Sequence, residues 1–515
     1  MNAIDRYSGV SQMVAEPPLP SERYVERACP GILNRRDMTA LFIVILFFMT
    51  NVPSAVAGGP AGLVLWLIGG LCFLCPCAIA TAQLSVVYPY EGALYVWTHK
   101  VFGGSLSFFV GFCAWVPCPL LILATADLVV TYLQGVNPQW LIAPWQQGMV
   151  LLGIVVFSYM LSVRRQRMIQ SIINMVCLLS LLAAGLVFVA GLVWLFTHHP
   201  PATDFRQFSN WNPFTATNIP LFGVITLGYL GVNLPLNMGG ELAGSQHQVK
   251  RRIISGHLLW GTLIVLGAYL VATFGVLVVQ GPNAGYVLFA LASTVSQALG
   301  PVAGGVTIVC ILTTCFFTTA VYNSIFARFL FVGGIDQRLP SGMGKLNRNR
   351  VPSHALLFQT VLTCLLISVL FFLLPLGHFF PGQTANLAVE IYFIGVGAAT
   401  VLWAFATLFL FLNLLGLLVK QHEQIHRHRL FPTPVLWLSA VVGLTTGILA
   451  IIDTIVNSYN PTLIPNGTWW YLVTLLTAVF MIIGLFGGMF ATSEAAWEGL
   501  KHTESSSAKE VSHMP

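Results

Sequence analysis

Two short stretches carry polar and helix-breaking residues inside otherwise apolar runs. They are Asn51-Val52-Pro53-Ser54, with Gly58-Gly59 beyond, and Asn233-Leu234-Pro235, with Asn237 and Gly239-Gly240 beyond. Proline removes a backbone donor and glycine loosens a helix, so each stretch predicts a helix broken in mid-course. In hydrocarbon an unpaired backbone group costs several kcal/mol, and broken helix persists only where it is buried in protein or lines a water-filled cavity. A break leaves N–H groups and a positive dipole end at the start of one half-helix, and free carbonyls at the end of the other. N–H groups around Ser54 and Ala55 suit a carboxylate, and carbonyls near Tyr229 and Gly231 suit an ammonium group. Asn51, Ser54, Asn233 and Asn237 can add hydrogen bonds without desolvating an ion. For Asn237, bonding between helices is an equal alternative. An uncharged amide at Asn233 points to a neutral or zwitterionic substrate.

Other residues invite a chemical role. Asp127, Glu390 and Asp453 lie in apolar runs, where a carboxylate is expensive and by default functional; all three fall toward the outer ends, and Asp127 is the candidate for proton coupling. Three thiols in "CFLCPC", Cys72 to Cys77, raise a metal or redox site, but Pro76 distorts the helix there. No His or carboxylate in the same run completes a ligand set, so packing is the favoured reading. Trp115 reads as packing before it reads as a gate. In the loop from Lys420 to Leu430, His422, His426 and His428 fit an interfacial anchor better than a pH sensor.

These residues need membrane-spanning helices to position them. Hydrophobic residues make up 56% of the chain and charged residues 8%, with a mean hydropathy of +0.81. That composition excludes an ordinary soluble protein. Apolar segments long enough to cross about 30 Å of hydrocarbon predict twelve spans, the first near 39–60 and the sixth near 219–243. Each break then lies about 12 to 14 residues into its span, near mid-bilayer at roughly 1.5 Å per residue. Of 23 Lys and Arg residues only Arg206 falls on the side opposite the rest, so both termini are expected in the cytoplasm. The net charge of +6 is therefore topological and carries no nucleic-acid implication. Interrupted spans at corresponding places in two halves, spans one to five starting inside and six to ten outside, predict an inverted repeat.

Several motifs resemble the amino acid, polyamine and organocation (APC) superfamily. "AGGPAGLVLWLIGG" enters span two, and "TAQLSVVYPYEGALYVWTHKVFGG", Thr81 to Gly104, leads into span three. Here Gln83 stands where the family usually has Glu, and Ala93 where it has the second of two glycines. "SIFARFLFVGGIDQRLP", Ser324 to Pro340, and the run from Tyr229 through Asn233 to Glu241 are similar to its span-eight and span-six patterns. "NVPSAVAG" and "YPYEGALYVW" look most like the glutamate/γ-aminobutyrate antiporter branch, although Asn233 replaces that branch's acid.

The resemblance implies an all-α membrane protein of twelve helices in a LeuT-type 5+5 inverted repeat, with helices 1 and 6 broken. It places Tyr322 at the substrate site and Thr318 and Thr319 near where sodium-coupled relatives hold the ion. The fifth span lacks the lysine that some proton-coupled relatives use. The expected organisation is a mobile cytoplasmic arm (1–37), repeat one (38–196), an extracellular loop (197–217), repeat two (218–420), spans eleven and twelve (421–493) and a cytoplasmic tail (494–515). The arm shows no signal peptide. The implied function is secondary active transport of an amino acid by alternating access in the cell membrane, coupled to a proton or sodium, with no cofactor or enzyme activity. A polyamine or organocation carrier, or a glutamate/γ-aminobutyrate-type exchanger, is the alternative in the class, and a membrane-embedded redox protein the alternative outside it.

Overall fold

A computed structural model describes residues 19–244, 247–285, 287, 289–376, 384–420, 425, 427–459, 461 and 463–511, with side chains described for these except 247, 376, 384–392 and 491–511. His422, His426 and the Glu390 side chain lie outside the described residues. Among those described the fold is all-helical, with one isolated parallel bridge between Leu33 and Leu242.

Helix α1 (Pro20–Ala28) and α2 (Arg35–Leu46) are followed by the short α3 (Asn51–Val56). Then come α4 (Pro60–Val87), α5 (Ala93–Phe102), α6 (Gly104–Val136), α7 (Pro144–Ser162) and α8 (Gln166–Phe196). A second short helix, α9 (Phe222–Leu227), leads through an irregular stretch into a 3-10 segment, Leu234–Glu241. The chain continues as α10 (His247–Val279), α11 (Ala290–Leu299), α12 (Pro301–Ile335), α13 (Ser353–Leu373), α14 (Thr384–Lys420), α15 (Thr433–Val456) and α16 (Asn466–Val511). Ten helices among the described residues are long and apolar enough to cross a membrane: α4, α6, α7, α8, α10, α12, α13, α14, α15 and α16.

The breaks fall where the polar and proline residues stand. Helix α2 starts from an Asn34–Asp37 capping box and ends at Leu46; Phe47 to Thr50 turn before α3 resumes at Asn51. The second break has Gly231 at φ 104°, a left-handed conformation that favours glycine. Around them α2 packs on α8 and α10, α8 on α12, and α6 on α12. A buried apolar core runs through these helices, while α7, α13 and α16 turn large apolar side chains outward, as lipid contact requires.

One expectation is corrected for the described part of the arm. Residues 19–37 are docked where the sequence suggested mobility: α1 begins at Pro20, buries Val25, and pairs Glu22 with Lys100 at 2.6 Å and Glu26 with Lys250 at 3.1 Å. Its acidic residues meet partners on α5 and α10 in place of water. The tail from 494 continues α16 to Val511, because Ala, Glu and Lys extend a formed helix at little cost.

Candidate functional site

The two breaks meet at one oxygen. The Tyr269 hydroxyl, on the continuous helix α10, donates to the Leu46 carbonyl at 2.7 Å and accepts from the Phe48 N–H at 3.0 Å and the Asn51 side-chain amide at 3.2 Å. It also lies 3.4 Å from the Gly228 carbonyl at the end of α9. A single buried phenol thus serves backbone groups that both interrupted helices leave without helical partners. Its ring is fixed by stacking on Trp66, centroids 3.9 Å apart, and edge-on by Tyr229 at 5.6 Å. Trp66 in turn donates to Thr273 at 3.1 Å, and the Tyr229 hydroxyl donates to the Trp66 carbonyl at 3.1 Å. The Tyr322 hydroxyl reaches the Ile45 carbonyl at 3.3 Å. Tyr269 escaped sequence reasoning: it sits in an unbroken apolar helix that carries no local signal.

Against this junction lies a cavity of about 660 Å³. Its inner wall includes Asn51, Ser54, Gly228 and Tyr322, and its lining continues past Asp127 to Ile142, Asn457 and Tyr459, in the connections opposite the basic loops. Four sequence candidates therefore share one space: Asn51, Ser54, Tyr322 and Asp127. Ala55, Tyr229 and Gly231 are packed behind it. Asn233 and Asn237 line a separate small pocket with Trp115 and Phe326, so the structure does not bring them to the cavity. Thr318 and Thr319 turn their hydroxyls onto their own helix, at the Thr314 and Phe316 carbonyls (2.7 and 2.6 Å), away from the cavity lining. Trp115 packs, donating to Gln359 at 3.3 Å beside Phe358. Asp453 accepts the Gly223 N–H at 2.6 Å and the Asn457 amide at 2.7 Å, an anchoring role at the first turn of α9. The thiols of Cys72, Cys75 and Cys77 are free, and among the described residues no three His, Cys, Asp or Glu side chains gather as a metal site.

The opposite face is closed by charge. Arg328 of α12 is buried between Glu241, at 2.6 Å, and Glu91, at 3.6 Å. Glu91 also accepts the Gly240 N–H at 3.0 Å, tying the loop before α5 to the end of the second broken segment. Burial pushes the Glu91 carboxyl up, and Arg328 opposes that shift. The arm lies across this lock. Leu33 exchanges backbone bonds with Glu241 and Ala243, 3.0 and 2.9 Å, and Ser21 gives its N–H and hydroxyl to Asp336 at 2.9 and 3.0 Å. Burial raises Asp336 to about 6, against the pull of Ser21, and raises the Cys29 thiol to about 12, which leaves it unreactive. The sequence reading named Asp127, Glu390 and Asp453 but passed over Arg328 and Glu241; both stand inside the motifs quoted above, at the ends of apolar runs and with opposite charge.

Both departures from the resembled pattern have a structural account. Gln83 is buried and uses both ends of its amide, donating to the His428 carbonyl at 3.3 Å and accepting the Leu430 N–H at 3.0 Å. A carboxylate could make only the second bond. Ala93 has a φ of 26°, a conformation in which glycine carries less strain.

A chain whose described residues are all-helical, with ten membrane-length helices among them and a cavity ending on two helix breaks, is an integral, multi-pass membrane protein of the permease class. A family model described as amino acid permease matches residues 37–486, and the chain belongs to that family, within the APC superfamily. It is a transporter and not an enzyme. It is 23% identical over 248 residues to an uncharacterised transporter of Legionella pneumophila, covering 46% of this chain and about half, 52%, of that one. It is also 23% identical over 392 residues to a branched-chain amino acid permease of Lactococcus lactis, covering 68% of this chain and 76% of that one. Neither name carries the glutamate/γ-aminobutyrate assignment.

Proposed function

We propose that the protein carries an amino acid across the membrane by alternating access around the breaks after α2 and α9, as a secondary active transporter. The observation that carries this reading is the Tyr269 hydroxyl joining both breaks at the wall of the cavity. In this reading the α-carboxylate lies against the start of α3 beside Asn51 and Ser54, and the α-ammonium group against carbonyls at the end of α9, near Gly228. The ten continuous helices and two broken segments make twelve crossings, with 38–196 and 218–420 as inverted repeats of LeuT type. The basic loops lie in the cytoplasm of a cell-membrane protein. The cavity then faces outward, while Arg328, Glu91, Glu241 and the docked arm close the inner side. Asn233 was the ground for expecting a neutral side chain, and it lies outside this cavity.

The test is exchange of radiolabelled amino acids by the purified protein in proteoliposomes, comparing the parent with Pro53→Ala/Ser54→Leu. The double variant restores a continuous apolar segment, so it should insert and fold yet lose exchange. Near-parental exchange by the folded variant would place the substrate elsewhere.

A further inference from the structure

We propose, on the basis of that reading, that Asp127 receives a second positive charge of the substrate, so that the preferred cargo is an amino acid with a cationic side chain. Asp127, on the part of α6 that follows the turn at Val116-Pro117, lines the cavity that Asn51 and Ser54 also line. It is the one charged side chain among the described lining residues, with no Lys, Arg or His to balance it. It is partly exposed, and no described residue hydrogen-bonds or ion-pairs with its carboxylate. Asp453 and Asp204, described carboxylates on the same side, are different in kind, because Asp453 is held by Gly223 and Asn457 and Asp204 accepts the Arg206 N–H in the outer loop.

The electrostatics separate substrate classes. The α-carboxylate and α-ammonium groups of any amino acid cancel one another and are met by the ends of the broken helices. A neutral substrate entering the cavity would displace water from Asp127 and leave the carboxylate without a counter-charge, an unfavourable desolvation. A side-chain ammonium or guanidinium group supplies that charge, and a carboxylate in a low-dielectric cleft attracts it before binding. The polar neighbours Thr131, Gln134 and Thr400 can complete the cation's remaining hydrogen bonds.

The experiment is competition binding on the full-length protein in detergent, for the parent and Asp127→Asn. Lysine, arginine and ornithine are set against the neutral isosteres norleucine and citrulline, and proton movement is followed during uptake in proteoliposomes. The expected result is a preference of about tenfold or more for the cationic members in the parent, equivalent to about 1.4 kcal/mol. Asp127→Asn should collapse that preference while neutral isosteres bind at least as well as before. Equal binding of both classes by the parent, or a cationic preference that survives Asp127→Asn, overturns the proposal. Neutral amino-acid uptake with proton movement that Asp127→Asn abolishes also overturns it, assigning the acid to a proton. Full binding by Pro53→Ala/Ser54→Leu would instead refute the break-centred site, whatever Asp127→Asn does.

Discussion

Replacing Tyr269 by Phe removes one oxygen from the point where both interrupted helices converge. The Leu46 carbonyl loses a 2.7 Å bond in a residue only 1% exposed, where water does not replace it. The Leu46 carbonyl keeps only the 3.1 Å bond from the Phe48 N–H, and the Asn51 amide can turn to water in the cavity, so the losses at Phe48 and Asn51 are smaller. The expected cost is that of one short buried hydrogen bond and parts of two others, about 1–3 kcal/mol. Tyr229→Phe is the control. Its hydroxyl also bonds a buried carbonyl, but the Trp66 carbonyl keeps the Gly70 N–H within α4, so about 0.5–1.5 kcal/mol is expected. Thermal unfolding of both variants in detergent, with amino-acid binding on the same samples, makes the comparison. Tyr269→Phe should be the less stable and should bind about tenfold more weakly, because the wall of the site is no longer fixed. If it matches Tyr229→Phe in stability and the parent in affinity, the junction has no special role and the reasoning fails.

Three further outcomes follow from the closed face and its neighbours. Arg328→Met leaves two buried carboxylates unpaired and should cost about 3–5 kcal/mol, seen as loss of folded protein on gel filtration; adding Glu91→Gln and Glu241→Gln should recover much of it. Removing residues 1–28 takes away the Ser21, Glu22 and Glu26 contacts, so hydrogen exchange over 234–243 should rise while that around Asp453 stays unchanged. Gln83→Glu should destabilise by about 1–3 kcal/mol in thermal unfolding, because the donor to His428 is lost and a carboxylate faces that carbonyl.

The ten membrane-length helices among the described residues and the two interruptions were legible because apolar length and helix-breaking residues are local properties, read one segment at a time. Asn51 and Ser54, which stand in the first break, line the cavity. The partners across the breaks were not legible: Tyr269 looks like any aromatic residue in an apolar helix until α10 packs against α2. The lock of Arg328, Glu91 and Glu241 joins three segments far apart in the chain, so no spacing rule reveals it. Asn233 matched a family position yet lines a different pocket, beside Asn237, Trp115 and Phe326. The docking of residues 20–28 was not legible because Glu22 and Glu26, taken alone, suit water as well as they suit Lys100 and Lys250.

The central claim is that substrate occupies the space where the two breaks meet, and the most direct measurement is a cryo-electron microscopy structure of the protein with a transported amino acid bound. Density is expected against Asn51, Ser54 and Gly228, with the α-carboxylate toward the start of α3. Density in the small pocket beside Asn233 and Asn237, with the junction at Tyr269 empty, would contradict the account.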